Sequence, residues 1–171
     1  MTLARICLLT SVFLKIALGA DCSSVLPKQI ILPSGWRAVT LEDLPTDDRE
    51  LWQRHHRGKC PGIAVADTAG TGQKSCAIAL LQNDADGKLQ QQLMVWLRTG
   101  TGFAKTVLAR PNPVVAGPFV VWTTPPGKSR AWDAGQPVDI THESFVYEKI
   151  EAVAWQFYLL NGTFHSLQSA N

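Results

Sequence analysis

The chain is short of three things: an excess of either charge, cysteine, and long apolar runs. Sixteen Lys and Arg face fourteen Asp and Glu, and two of the sixteen, Arg5 and Lys15, lie in the first twenty residues. Beyond residue 20 the formal charge is therefore zero. A chain without a basic stripe has nothing to exchange for phosphate counterions, which argues against nucleic-acid binding. No stretch after residue 20 is long and apolar enough to span a bilayer, so no membrane span is expected there. Chemical signatures are scarce as well. There is no G-x-S-x-G elbow, phosphate loop or dinucleotide fingerprint, and Gly70-Thr71-Gly72 and Gly100-Thr101-Gly102 fall between expected strands rather than opening helices. No repeat recurs cleanly, and no residue pattern implies a cofactor.

The one apolar run sits at the start. Arg5 precedes Ile6–Leu18, interrupted once by Lys15, and Leu18-Gly19-Ala20 supplies small residues before a cleavage point after Ala20. This pattern predicts a signal peptide over 1–20 and a single exported domain over 21–171, in the periplasm or secreted. Asp21 directly precedes Cys22, which disfavours a lipid anchor. Cys7 would leave with the signal, so Cys22, Cys60 and Cys76 remain. An odd count in an oxidising compartment implies one bridge and one thiol. Cys76 lies in the apolar run SCAIALL, where a buried thiol behaves as a small hydrophobe. The favoured pair is Cys22–Cys60, with Cys22–Cys76 and Cys60–Cys76 as the alternatives.

Residues 21–45 are punctuated by Pro27, Pro33, Gly35 and Pro45 and read as irregular. A helix follows, with Thr46 as its cap, Asp47 and Asp48 at its positive end, and Gly58 closing it after Arg54 and Arg57. Leu51, Trp52 and His55 share a face suited to lie on a sheet. From Gly62 the period changes to two, predicting strands near 62–67, 75–82, 90–98, 103–109, 118–123, 144–149, 152–160 and 163–168. Asn83–Gly87 reads as a polar turn, and Asn161-Gly162 as a type I′ hairpin turn. Residues 111–118 and 125–137 read as Pro- and Gly-rich loops, the second a candidate mobile flap. The expected class is mainly β (α+β): an antiparallel sheet of six to eight strands with one N-terminal amphipathic helix. Six tryptophans suit a well-filled interior or an aromatic surface.

The segment from Cys60-Pro61-Gly62 through Asp67-Thr68-Ala69-Gly70-Thr71-Gly72-Gln73-Lys74-Ser75 to AIALL resembles a degenerate FG-GAP (VCBS-type) unit. In that family an Asp-rich loop of the form D-x-D-G-D-G-x-x-D joins two strands. Asp67 stands at the first acidic position, and Gly70 and Gly72 at the two glycines. Ala69, Thr71 and Ser75 stand where the other carboxylates would be, and Lys74 adds a positive charge. Calcium wants six to eight oxygens with several carboxylates among them. The expectation is a turn with no metal. More broadly, Gly35-Trp36, the Asp43–Trp52 segment, the Cys60-Pro61-Gly62 start and the Asn161–Phe164 hairpin resemble a set of exported bacterial proteins of unknown function. That likeness implies a secreted β-rich domain and no activity.

Other candidates are weaker. His55 and His56 point about 100° apart on a helix and cannot converge on one ion. One packed and one exposed histidine is the expectation. His142-Glu143 lacks the second histidine of a zincin motif, since Val146 occupies that place. As strand neighbours these two would face opposite ways, which leaves them weak candidates for acid–base catalysis. Asn161-Gly162-Thr163 matches a glycosylation sequon, to which a tight turn gives little meaning.

Three functional readings follow. The favoured one is a non-enzymatic binding protein of inhibitor or immunity type, blocking an envelope-acting enzyme. Its protein partner would be met through the 124–137 and 83–87 loops, with Lys128, Arg130 and Trp132 as binding residues. Another is a hydrolase of envelope polymers drawing on His142, Glu143, Asp133 and Asp139. A structural envelope subunit, joined through an exposed last strand, is a third possibility.

Overall fold

The computed structural model describes Cys22, residues 25–132 and residues 135–169. The signal-peptide reading of residues 1–20 and the candidate Asp133 lie outside them. In chain order the elements are β1 (Arg37–Ala38), α1 (Thr46–His55), β2 (Ile63–Ala66), β3 (Ser75–Asn83), β4 (Leu89–Thr99) and β5 (Gly102–Pro113). They continue with β6 (Val120–Thr124), β7 (Gly127–Ser129), β8 (Val138–Ile140), β9 (Ser144–Lys149), β10 (Val153–Leu160) and β11 (Thr163–Ser169). A 3-10 turn over Leu41–Asp43 leads into α1. The described residues are mainly β, with antiparallel sheets and a single α-helix among them, as the period-two pattern requires.

The centre of the fold is β3. Its sequence is apolar at every position from Cys76 to Leu81, so both faces of the strand must be buried. Cys76, Ile78 and Leu80 point to one side, Ala77, Ala79 and Leu81 to the other, and all six are fully buried. β4 pairs along one edge of β3, with β5 beyond it. On the other edge two short strands share the space: β1 opposite Leu80–Leu81 and β2 opposite Ser75–Ile78. The inner face packs on a second sheet, ordered β11-β10-β9-β6, through Ala77, Ala79, Leu81, Leu93 and Val95 against Val121, Phe145, Tyr147 and Phe157. The outer face is covered by the segment before β1, where Ile30, Leu26, Leu32 and Trp36 lie on Ile78, Leu80, Met94 and Trp96.

A three-residue junction, Cys60-Pro61-Gly62, ties these layers together. Cys60 is bridged to Cys22, fastening the covering segment. The Pro61 carbonyl accepts the Val121 amide at 2.7 Å, which joins the two sheets. The Gly62 carbonyl accepts the Ala79 amide at 3.0 Å, and the Ala79 carbonyl accepts the Val39 amide at 2.9 Å. Here β1 and β2 meet end to end, so closely that a Cβ on Gly62 would lie 2.3 Å from the Val39 oxygen. Gln91 makes a second link between the sheets. It is fully buried, and its amide bonds both backbone groups of Phe119 at 2.9 Å each.

Several expectations change. Thr46 is not the helix cap but its first residue. Pro45 takes the cap position without a side-chain bond, and Asp47 and Asp48 occupy the first turn. Arg37 and Thr40 instead hold the entry, both bonding the Asp43 carboxylate, Arg37 with two bonds of 2.6 Å. Residues 111–113 are strand rather than loop, because β5 is an edge strand. There Pro111 and Pro113 need no ladder donor, and the two register shifts near Leu93 each absorb one extra residue of β5. The 125–137 loop contains β7, paired with β8. The turns hold as expected: Asn161 and Gly162 both have positive φ within a two-residue loop, and Asp84 accepts the Asp86 and Lys88 amides. Cys76 is the thiol left over, its pKa pushed up to about 12 by burial. That leaves it in the unreactive protonated form. No helix among the described residues is long and apolar enough to cross a membrane.

Two substitutions test this junction. Gly62→Ala drives a methyl into the Val39 backbone and should lower the urea unfolding free energy by at least about 2 kcal/mol. An unchanged midpoint would show that β1 does not press on Gly62. Opening the Cys22–Cys60 bridge, which closes a separation of 38 residues, should cost about 3 kcal/mol. The readout is unfolding of Cys22→Ala compared with Cys76→Ala, and equal losses in the two would assign the effect to packing alone.

Candidate functional site

The three binding candidates lie on the β7–β8 hairpin. Pro125-Pro126-Gly127 turns the chain out of β6, and Lys128 then pairs in register with Asp139 across the hairpin. Ile140 is buried while Asp139 is exposed, so the hairpin has an inner and an outer side. Ser129 donates to the Gln156 side-chain oxygen at 2.6 Å, and the Gln156 amide donates to the buried Ser144 hydroxyl at 2.8 Å. This chain of bonds seats the hairpin on the outer face of β9 and β10. Past β7, Ala131 bridges to Ser169, and the Trp132 amide donates to the Gln168 carbonyl at 2.8 Å. The segment is thus a paired and docked element rather than an open connection. Lys128, Arg130 and Trp132 are all exposed on it, and Trp132 keeps 68% of its surface in water.

The Asp67–Ser75 loop is closed by its own groups. The Asp67 carboxylate accepts the Thr71 amide at 3.0 Å and the Gly72 amide at 2.6 Å. Desolvation raises its pKa, but those amides outweigh it and hold the group below the ordinary carboxylate range. Thr71 uses its hydroxyl on the Gln73 amide, and Ser75 on the Arg98 amide. Glu143 takes both the Lys74 ammonium, at 2.8 Å, and the Asp67 amide, at 2.5 Å. The Lys74 bond first, then the Asp67 amide, lowers the Glu143 pKa, so the group stays ionised rather than poised to donate a proton. His142 packs on Gly70, where a Cβ would lie 2.3 Å from the imidazole. Both catalytic candidates therefore brace this loop. Among the described residues, no three His, Cys, Asp or Glu side chains gather as a metal site.

A third region was not foreseen. Trp52 and His56 are four apart on α1 and lie one above the other, their rings stacked at 4.3 Å. His56 also meets Trp122 of β6 at 5.2 Å, and the Trp122 indole donates to Glu148 of β9 at 2.8 Å. This stack forms one wall of a cleft of about 400 Å³ between α1 and the second sheet. One packed and one exposed histidine is the arrangement found, but the half-buried one is His56, while His55, expected beside Leu51 and Trp52, is exposed. Trp122 and Glu148 come from strands far away in the chain, and no local pattern joins them to the helix.

Burial first, and then the charges of Lys59 and His55, lower the His56 pKa below its usual 6.5. The unfolded chain therefore takes up this proton before the folded one. Stability should be full above about pH 6.5 and fall as pH drops through the lower folded value. Urea midpoints between pH 7.5 and 5 should show this decline, and His56→Phe should flatten it. An equal decline in the variant would assign the effect to other groups. Asp67, Asp84 and Glu143, whose pKa values are lowered, contribute only in a more acid window. No family model, curated protein or solved structure matches this chain.

Proposed function

We propose that the chain is an exported binding protein of the inhibitor or immunity type, and that it blocks an envelope-acting enzyme with the β7–β8 hairpin, including the segment that follows β7. The observation that carries this reading is Trp132, 68% exposed on a backbone held by a sheet bridge and a hydrogen bond. A large aromatic left in water gains most when a partner covers it, and tryptophan and arginine are the residue types that dominate binding hot spots. A docked backbone reduces the ordering that binding would otherwise require. Lys128 and Arg130 give the surface a positive character suited to an acidic cleft on the partner. The Cys22–Cys60 bridge fits an oxidising compartment, and the signal-like first twenty residues support export.

The test uses the chain beginning at Asp21 against purified wall-degrading enzymes of different bond specificity, each digesting isolated cell wall. One class should be slowed at near-stoichiometric concentration. Trp132→Ala should weaken that inhibition by about thirtyfold, the loss of a 2 kcal/mol hot spot, without moving the thermal midpoint. If no class is slowed, or if Trp132→Ala inhibits as well as the parent, the hairpin is not a blocking element.

A further inference from the structure

The cleft between α1 and the second sheet has a chemical bias independent of the hairpin. Its floor and one wall are aromatic, from Trp52, His56 and Trp122, and Leu51 and Ile150 add an apolar side. The charged groups lining it besides the histidines are Glu148 and Glu151, with no Lys or Arg among them. Glu148 spends one carboxylate oxygen on the Trp122 indole, and no donor among the described residues reaches the other. Lys149 lies beside these two but turns its ammonium onto the carbonyls of Val115, Ala116 and Gly117. Its hydrogen bonds point away from the cleft, while its charge still acts on Asp48. Asp48 stands one turn before Leu51 and Trp52 on the same helix face, outside the residues that line the cleft. Its pKa is raised first by burial, lowered by the charge of Lys149 and raised by that of Glu151, so it lies near both. The carbonyl end of α1 lies at His55 and His56, adding partial negative charge.

Glu151 is the least expected of these residues. It sits in the turn from β9 to β10 at φ +57°, where glycine or asparagine is the usual occupant. The chain accepts a strained glutamate there, and the side chain lines the cleft. Outliers of this kind concentrate at binding and catalytic sites.

We infer that this cleft binds an organic cation, an ammonium or guanidinium group on an aliphatic stem. The stem would lie along Leu51 and Ile150 and the charge between the Trp122 ring and the carboxylates of Glu148 and Glu151. Ring faces attract cations of this kind, and the carboxylates add charge complementarity in a site partly shielded from water. A free amine and the side chain of a Lys or Arg residue share this chemistry, so the test separates them.

The Trp122 indole N–H, assigned by its loss in Trp122→Phe, provides the signal in two-dimensional NMR. Pentylammonium and butylguanidinium should move it saturably, and neutral 1-pentanol at the same concentration should not. Added salt should weaken the response. A lysine tripeptide capped at both ends would match pentylammonium if the natural ligand is a side chain, and fail if the cleft admits only a free amine. Glu148→Gln, which still accepts the indole bond, should weaken binding roughly three- to fivefold. Glu151→Gly should weaken it similarly without lowering the thermal midpoint, since glycine relieves the positive φ. That pairing, weaker binding in an equally stable protein, is what a merely structural Glu151 would not give. No saturable shift with either cation, an equal shift with pentanol, or unchanged affinity in both variants would overturn the inference.

Discussion

The short junction at Cys60-Pro61-Gly62 is the constraint on which the other layers depend. Three successive residues serve three layers: a disulfide to the covering segment, a carbonyl to the second sheet, and a carbonyl to the central strand. The geometry is tight because β1 and β2 occupy one edge of β3 end to end, which leaves no room for a side chain at position 62. A segment without regular structure, such as residues 25–36, has few backbone bonds of its own to hold it. The bridge to Cys60 and the burial of Ile30 supply that hold. Without this cover Ile78, Leu80, Met94 and Trp96 would present an apolar face to water.

A strand buried on both faces requires material on each side, and the fold stacks accordingly: covering segment, first sheet, second sheet, hairpin. The two candidate surfaces both belong to the second sheet's side. One is the hairpin with Lys128, Arg130 and Trp132, and the other is the cleft with Glu148 and Glu151. A chain with nearly balanced charge can therefore still carry patches of opposite sign. Each patch rests on rigid support, Gln156 and Ser144 beneath the hairpin and the Trp52–His56–Trp122 stack beside the cleft. A site held this way loses little freedom on binding.

The Asp67–Ser75 loop is organised by its own side chains and by two residues from outside it. Its single carboxylate is turned inward to cap two amides. Lys74 carries a positive charge beside the position where a cation would sit, and meets Glu143 from outside the loop. His142 seals Gly70. Gly70 and Gly72 have positive φ, the backbone conformation that the turn requires.

The sequence by itself determined the helix and the longer strands, though not the short β1, β7 and β8. Alternation set the strands, Asn161-Gly162 and the Asn83–Gly87 segment set two turns, and the Cys22–Cys60 pairing was the favoured one. These are local properties, decided by side-chain period, backbone preference and cysteine count. Helical spacing grouped His55 with Leu51 and Trp52, whereas the structure stacks His56 on Trp52 and leaves His55 exposed. Only the tertiary structure decided that the strands divide into two sheets, that Pro111 and Pro113 lie within an edge strand, and that residues 125–137 contain half of a docked hairpin. It alone decided the cleft, where Trp52, Trp122, Glu148 and Glu151 arrive from a helix, two strands and a turn nearly a hundred residues apart. Periodicity reports which face of an element is apolar. It does not report which other element will meet that face, because the meeting is set by layer stacking and strand order.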